Sequence, residues 1–139
     1  MDTQSLSVYK LTGRYRCKVV EVYDGDTITL ILFNKGSFEK HKLRMHGYDS
    51  PEMKPRKNIQ NRESIIKKAK IARDALRNLI LDKEVILEAM GSDKYGRLLG
   101  TIYKQSCGST LNVNDYMLQN DYGYAYFGGT KKISSAKVT

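Results

Sequence analysis

One short stretch of the chain places a cation, two carboxylates and a proline within nine residues, Arg44 to Glu52. The Arg44 guanidinium is a fixed fork of N–H donors that suits a phosphate. The Asp49 carboxylate is a hard oxygen ligand of the kind that calcium and magnesium prefer. Glu52 is a candidate general base, and Pro51 restricts how Ser50 and Glu52 are oriented. These residue types together indicate phosphodiester hydrolysis, although a strand that ends in a polar Ser-Pro loop has the same pattern.

Two further stretches carry residues of the same chemistry. Asp24-Gly25-Asp26-Thr27 offers a second metal carboxylate, and Asp93-Lys94-Tyr95-Gly96-Arg97 offers a second arginine. Each could be an isolated turn when taken alone. The first is not an EF-hand, because the twelfth position counted from its first aspartate is Lys35 where a glutamate is required. In combination, the three stretches supply two separated aspartates for a metal, two arginines for one phosphate and one glutamate for a water molecule.

The three motifs, in this order and with a basic helix in the second gap, resemble the staphylococcal nuclease (thermonuclease) family. The resemblance runs from about Arg14 to Gly123 and rests on Asp-Gly-Asp-Thr, Leu-Arg-x5-Ser-Pro-Glu and Asp-Lys-Tyr-Gly-Arg. It implies a calcium-dependent phosphodiesterase that hydrolyses DNA, RNA or both with little sequence specificity. The family cuts the 5′ P–O bond and leaves 3′-phosphates.

The resemblance implies a calcium site built from three residues. Asp26 and Asp49 match the family's carboxylate ligands of one Ca²⁺ ion, and the backbone carbonyl of Ser50 matches its carbonyl ligand. Ser50 stands where the family usually has threonine, a mild change if the carbonyl is the ligand. Calcium accepts six to eight oxygens, so these groups, waters and a phosphate oxygen form a plausible coordination sphere.

The resemblance also implies catalytic and substrate-binding residues. Arg44 and Arg97 match the two arginines that contact the scissile phosphate, and Glu52 matches the carboxylate that activates the attacking water. Lys94 and Tyr95 match residues that hold the terminal phosphate of the nucleotide and line its base pocket. Arginines placed in this way meet negative charge as it grows in the transition state.

The pattern of apolar residues predicts the strands that must position these side chains. Period-two alternation from Arg14, and again at Thr27–Phe33 and Lys40–Tyr48, indicates three antiparallel strands joined by short turns. A phase slip at Val20 indicates a β-bulge in the first strand. The remaining predicted elements are a fourth strand at Glu84–Ala89, a fifth at Arg97–Tyr103, a loop at 104–110 and a short C-terminal helix near Val113–Asn120.

A helix is predicted between the third and fourth strands. Its apolar residues step by four and three, and its other faces carry lysines and arginines that are either solvated or in contact with substrate. Five strands with a helix inserted there fit a five-stranded OB-fold barrel, a mainly β fold with helices (α+β) and a common nucleic-acid-binding platform. The apolar stripe consists of Ile65, Ala69, Ala72, Leu76 and Leu79.

Two groups of side chains near these elements have open roles. His41 and His46 fall with Arg44 on the polar face of the third strand, and we expect them to be exposed and not to bind metal. Aromatic residues near the C-terminus either stack on bases or pack in the core. They are Tyr122, Tyr124, Tyr126 and Phe127.

Composition bounds the partners. The 139 residues include 24 basic and 15 acidic side chains, a formal net charge of +9 that favours nucleic acid first and an anionic membrane surface second. The chain has no apolar run of roughly 18 residues that would span a membrane. Cys17 and Cys107 lie 90 positions apart, and we expect two thiols and no disulfide.

The domain organisation follows from length and local composition. We expect one nuclease domain at residues 14–127, an N-terminal extension at 1–13 and a flexible basic tail at 128–139. The first residues show no secretory signal, so an intracellular location is favoured unless a leader was removed. The sequence indicates no obligate protein partner, and we expect a monomer.

Two rival functions remain open. The chain could be a catalytically inactive OB-fold module that only binds nucleic acid, or a protein-interaction module. The second rival leaves unexplained why Asp26, Arg44, Asp49, Glu52 and Arg97 occur together.

Overall fold

The first three strands follow one another through two tight turns in the computed structural model, which describes residues 11–126. β1 (Thr12–Val22) pairs with β2 (Thr27–Asn34), and β2 pairs with β3 (Ser37–Met45), both antiparallel. The β1–β2 register shifts after Val19, which confirms the predicted bulge.

Two later strands close the barrel. β5 (Glu84–Ser92) lies antiparallel between β1 and β6 (Leu98–Ser106), and β6 pairs in parallel with β3 through residues 43–45. The strand order β1-β2-β3-β6-β5 therefore returns to β1, so the predicted five-stranded barrel of the OB type is confirmed.

The predicted helix is α1 (Arg62–Ile80), which lies between the third and fourth predicted strands. The middle of the predicted stripe is buried at Ala69, Ala72 and Leu76, whereas its ends, Ile65 and Leu79, are half-buried. Arg77 Nε donates to the Val22 carbonyl at 3.3 Å, which ties the helix to the end of β1. The shorter α2 (Val113–Gln119) begins after Asn112, whose side chain accepts the Asp115 N–H at 3.0 Å as an N-cap. Two helices on a mainly β fold agree with the predicted fold class.

The predicted loop at 104–110 is wrong. β6 continues to Ser106 and turns back into β7 (Ser109–Asn112), which pairs with it antiparallel. Cys107 and Gly108 form the two-residue turn with φ of 49° and 83°. A turn with two positive φ values matches the twist of the strands that it joins. Such turns usually contain asparagine, aspartate or glycine, so the cysteine at position 107 does not predict one.

The predicted third strand is also broken. It ends at Met45, and the chain resumes after His46 as β4 (Gly47–Asp49), which leaves the barrel to pair with β8 (Tyr124–Tyr126). Gly47 has a φ of 97°, a conformation that glycine adopts readily and that redirects the chain.

The two histidines are half-buried, so the prediction that they are exposed is wrong. His41 Nε2 lies 2.9 Å from Glu39 Oε1, and the His46 carbonyl accepts a hydrogen bond from Asn114 Nδ2 at 2.8 Å. Glu39 is two residues from His41 on the same face of β3, whereas Asn114 is distant in sequence and the alternation pattern does not identify it.

Both cysteines are free thiols, as predicted. Cys17 is buried in the barrel core, where burial raises the pKa of its thiol to about 12, whereas Cys107 is exposed at the hairpin tip. Within residues 11–126, no helix is long and apolar enough to cross a membrane. The predicted tail at 128–139 and most of the predicted extension at 1–13 lie outside the described residues; β1 already begins at Thr12.

Candidate active site

The turn between β1 and β2 presents Asp26 next to the barrel. Asp24 Oδ1 accepts the Asp26 N–H at 3.0 Å, and Thr27 Oγ1 donates to Asp26 Oδ1 at 3.0 Å. The backbone of Asp26 is tied to the end of β3, because its carbonyl accepts the Met45 N–H at 2.8 Å. Thr27 therefore holds the Asp26 side chain, Asp24 and Met45 hold the Asp26 backbone, and the residue is only 8% exposed.

Gly25 lets this turn pack directly on the rest of the site. A Cβ atom there would lie 2.8 Å from Ser50 Cβ and 2.9 Å from Ala72 Cβ of α1. The Gly25 carbonyl accepts the buried Tyr48 hydroxyl at 2.6 Å. A Cβ atom at position 25 would therefore overlap both Ser50 and Ala72. Because glycine lacks that atom, the turn, β4 and α1 can pack together.

Asp26 and Ser50 meet directly across this contact. The Ser50 N–H donates to Asp26 Oδ2 at 2.8 Å, and Ser50 itself is 5% exposed. The residues of the first two motifs, 24 positions apart in sequence, are therefore joined by a charge-assisted hydrogen bond.

Arg44 lies between the two aspartates. Its Nη2 donates to Asp49 Oδ1, and its Nη1 lies 3.5 Å from Asp26 Oδ2. Nη1 also donates to the carbonyls of Met45 and Tyr48, both at 2.8 Å. The three side chains are only 11–13% exposed.

These contacts fix the guanidinium but do not occupy all of its N–H donors. Its hydrogen bonds to residues within 11–126 use three of its five N–H groups, which leaves two that a phosphate could occupy. The site is enclosed, so its electrostatic interactions are stronger than those of an exposed pair.

Asp24, a member of the first motif to which the sequence assigns no role, has the most perturbed carboxyl here. Burial, followed by the negative charge of Asp26, raises the pKa of Asp24 from 3.8 to about 7. Nothing in the sequence signals this, because the shift depends on burial of the turn.

The third motif forms a separate loop in which Asp93 positions Arg97. Asp93 Oδ1 accepts the N–H groups of Tyr95 and Arg97 at 2.9 and 3.0 Å, and its Oδ2 accepts Arg97 Nε at 2.8 Å. The Asp93 N–H also donates to the Arg97 carbonyl at 2.8 Å, which closes the loop. Arg97 was predicted to begin a strand, but it lies just before β6.

Tyr95 is the exposed aromatic of this loop. It is 72% exposed, and the cationic groups of Lys94 and Arg97 lie 5.3 and 5.6 Å from its ring centroid. Both distances fall in the range of cation–π contacts. The ring and the two cations predicted to bind substrate therefore share one patch of surface.

The two arginine regions are neighbours because β3 and β6 pair. Arg44 is opposite Leu99, two residues beyond Arg97, so strand geometry puts the Arg44 and Arg97 Cα atoms roughly 8 Å apart. Glu52 is exposed and follows Ser50 by two positions. The structure joins Asp26, Arg44, Asp49 and Ser50 by direct contacts, whereas the β3–β6 pairing brings Arg97 near them and Glu52 follows Ser50 in sequence.

The donor set at this end of the barrel fits a hard cation. Asp26 and Asp49 are the two carboxylates that contact Arg44, and among residues 11–126 no group of three or more His, Cys, Asp and Glu side chains converges as a metal site. The Ser50 carbonyl would add a third oxygen, and water and substrate the rest. Within residues 11–126 the buried Ser50 Oγ has no hydrogen-bond partner, so the polar groups here are not fully satisfied by contacts in that part of the chain.

Asn114 supports the backbone around the site, a role that the sequence did not predict. Its Nδ2 donates to the carbonyls of His46 at 2.8 Å and Gly100 at 3.1 Å, and its Oδ1 accepts the Ile102 N–H at 3.0 Å. One buried amide therefore fixes the break between β3 and β4 against β6.

The C-terminal aromatics divide between two surroundings. Tyr122 packs against the core and stacks on Tyr116 at 6.3 Å between centroids. Tyr124 and Tyr126 are half-buried in β8, where Tyr124 is opposite Asp49, and Phe127 lies outside the described residues. Core packing accounts for Tyr122.

Comparison with known proteins gives consistent matches. The family model of staphylococcal nuclease homologues matches residues 42–137, more than two thirds of the chain. An uncharacterized endonuclease of Haemophilus influenzae is 31% identical over 110 residues, covering 79% of this chain and 52% of that protein. A micrococcal nuclease of Shigella flexneri is 30% identical over 117 residues, covering 81% and 59%. The chain spans between half and three fifths of the length of these curated relatives.

Proposed function

Because the chain belongs to the staphylococcal nuclease family, we propose that it is a nuclease that hydrolyses phosphodiester bonds of DNA, RNA or both. The observation that carries the proposal is the enclosed cluster in which Arg44 contacts Asp26 and Asp49 while Ser50 donates to Asp26. The nuclease-named relatives agree with it. Little sequence preference is expected, since phosphate and stacking contacts do not distinguish one base from another.

We propose Ca²⁺ as the cofactor, held by the carboxylates of Asp26 and Asp49 and the carbonyl of Ser50. A bound calcium ion would withdraw charge from a phosphoryl oxygen and hold water close to it. The set consists only of hard oxygens, which suits calcium and excludes metals that prefer sulfur or imidazole.

The arginines act on the phosphate. Arg44 would donate its two remaining N–H groups to phosphoryl oxygens, and Arg97, oriented by Asp93, would donate from the other side. These donors are in place before the reaction, so they stabilise growing negative charge without reorganisation.

Glu52 is the proposed general base. As the water oxygen bonds to phosphorus, Glu52 takes a proton from it, and the bond from phosphorus to the 5′ oxygen breaks. The departing 5′ oxygen gains a proton from solvent, and the other product keeps a 3′-phosphate. Lys94 and Tyr95 would hold the neighbouring phosphate and base.

The test is a digestion of denatured DNA and of RNA with calcium and then with a chelator, at neutral and alkaline pH. We expect cleavage only with calcium, and fragments that a polymerase extends only after phosphatase treatment. Cleavage that survives chelation would remove the cofactor from the proposal. Binding of both polymers without any cleavage would instead identify the chain as the non-catalytic module.

A substitution isolates the base. Glu52→Gln should lower turnover by about 10²–10⁴-fold and leave nucleotide binding intact, the range that a general base contributes. Glu63→Gln is the matched control, because Glu63 is an exposed acid in the first turn of α1. Equal turnover of the two variants would exclude Glu52 as the base.

A further inference from the structure

The outward face of β3 carries a row of cations that ends in an aromatic side chain. Leu43 and Met45 are buried, whereas Phe38, Lys40 and Lys42 alternate with the inward positions and are exposed. Arg44 is the next outward residue of the same row, so the row begins at the candidate active site.

The neighbouring strand extends this face. Lys40 is opposite Ile31, Lys42 is opposite Thr29, and Phe38 is opposite Phe33 at the hairpin end. The two phenylalanines are 55% and 77% exposed, with ring centroids 5.2 Å apart and an interplanar angle of 66°. Two large aromatic side chains exposed side by side next to lysines indicate a binding surface more than a packing surface.

Cations outnumber carboxylates on this face. No salt bridge among the described residues involves Lys40 or Lys42. Lys18 of β1 is exposed beside Ile31, and Glu21, which accepts a hydrogen bond from Thr29 at 3.1 Å, is the carboxylate on that side.

Two further acids near the face are engaged elsewhere. Glu39 points inward and contacts His41, and Glu84 of β5 lies 3.7 Å from Arg16. The cations of the row are therefore available for the phosphates of a polyanion.

The length of the row matches several nucleotides. Six residues separate Arg44 from Phe38 along β3, which is roughly 20 Å of strand, and the two lysines are spaced by about 6.7 Å. The loop that carries Lys94 and Tyr95 precedes β6, which runs parallel to β3, so this loop lies alongside the row.

We propose that Phe33, Phe38, Lys40 and Lys42, here called the β3 track, bind the single-stranded nucleic acid that continues from the cleaved phosphate. The lysines contact successive phosphates, and the phenylalanine pair stacks on an unpaired base. The proposal rests on the proposed nuclease function and extends it to a substrate several nucleotides long. A duplex keeps its bases stacked and cannot use the aromatic pair in this way.

The principal test compares two double variants that remove the same charge. Lys40→Gln/Lys42→Gln changes the β3 track, and Lys67→Gln/Lys70→Gln changes two exposed lysines of α1. Binding of a fluorescent 12-nucleotide oligothymidylate is measured in chelator over a range of salt concentrations. The first variant should lower the magnitude of the slope of log K against log salt by about 1.4, since each phosphate contact on a single strand contributes about 0.7.

At about 0.1 M salt this slope corresponds to binding weakened roughly ten- to thirtyfold. The α1 variant should keep the wild-type slope and affinity. Equal losses in both variants would show a general effect of net charge and overturn the β3 track, as would no loss in the first variant.

The aromatic end is tested separately. Phe38→Ala should weaken oligothymidylate binding at least about fivefold, the lower limit for losing one stacked base. Met90→Ala is the matched control, because Met90 is 48% exposed on β5 and lies off the row. If Phe38→Ala leaves binding unchanged but abolishes self-association in sedimentation, the aromatic pair contacts a second copy and the β3 track is wrong.

Substrate length separates this proposal from the nuclease proposal. The lysine variant should cleave a dinucleotide like wild type but lose the gain in kcat/KM that wild type shows on 12-nucleotide DNA or RNA. Wild-type cleavage that the variant matches at every length would retain the nuclease and reject the β3 track. Binding that depends on the track without any wild-type cleavage would reject the nuclease and retain the β3 track. An oligonucleotide that wild type neither binds nor cleaves would reject both.

Discussion

The two arginines of the candidate site are held in different ways. Arg44 is 13% exposed and contacts two buried carboxylates and two carbonyls, all of them on strands or on the turn that packs against them. Arg97 is 30% exposed on a loop, where Asp93 is its carboxylate partner and Tyr95 lies beside it. One arginine is part of the framework of the fold, and the other is attached to it.

This difference separates stability from catalysis. The contacts of the Arg44 cluster also hold β3, β4 and the β1–β2 turn together, so we expect activity and folding to depend on the same atoms. The Arg97 loop is organised by local hydrogen bonds among residues 93–97, so we expect that it can be altered without disturbing the barrel.

Arg44→Ala should have the largest effect. Turnover should fall by about 10²-fold or more because a phosphate donor is lost. The free energy of unfolding should fall by about 3–5 kcal/mol, since Asp26 and Asp49 would be buried without a cation. Turnover on denatured DNA and urea denaturation measure the two losses.

A conservative variant keeps this prediction testable if alanine prevents folding. Arg44→Lys retains a cation beside both carboxylates, so it should recover much of the stability, but it lacks the planar fork and should remain impaired in turnover. Full turnover in a stable Arg44→Lys protein would contradict the role of the guanidinium at the phosphate.

Arg97→Ala should match Arg44→Ala in turnover and differ from it in stability. We expect a loss of about 10²-fold or more in turnover. The free energy of unfolding should fall by no more than about 1 kcal/mol, as for a partly exposed ion pair. Arg16→Ala is a control for removing an arginine from an exposed pair. A collapse of the fold in Arg97→Ala would mean that the loop is structural and that the contrast is wrong.

Asp93→Asn should have a smaller effect on turnover than either arginine variant. The amide oxygen can still accept backbone N–H groups, but the charge that orients Arg97 is gone. A misplaced catalytic group lowers turnover by up to about 10²-fold, and we expect roughly tenfold here. Added guanidinium should not restore the rate, because Arg97 is still present. Wild-type turnover would show that Arg97 finds its position without Asp93.

Much of the fold was accessible from the sequence because alternation and the helical stripe report burial directly. The five barrel strands and both helices lie where the pattern predicts them. The departures from the prediction occur where one or two residues redirect the chain. Gly47 follows the early end of the third strand, and Cys107 with Gly108 forms a hairpin turn within a predicted loop. Both depend on positive φ values, which residue type signals only weakly.

Less of the candidate site than of the fold could be predicted from the sequence. The motifs identify which residues could act, but not that Arg44 is enclosed by Asp26 and Asp49. Asn114 and Asp93 had no assigned role, because an asparagine in a helix or an aspartate in a turn is most often a cap or a local turn residue. Their importance comes from partners distant in sequence or from the loop conformation, which no single stretch reveals.

Ser50→Ala should have the smallest effect of these variants, and we expect it to stabilise the protein. Ser50 Oγ is buried and has no hydrogen-bond partner among the described residues, a state that costs about 1–3 kcal/mol, so its removal should raise the free energy of unfolding by about 1 kcal/mol. Ser92→Ala, at an exposed position of β5, should change stability by less than about 0.5 kcal/mol.

Turnover in the same variant tests which oxygen of Ser50 matters. The alanine backbone keeps both the carbonyl and the N–H that donates to Asp26, so calcium-dependent turnover should persist if the carbonyl is the ligand. A large loss of turnover, with stability raised, would assign the ligand to the hydroxyl instead. In that case the Arg44 cluster would separate stability from catalysis at this one residue, as the Arg97 loop does throughout.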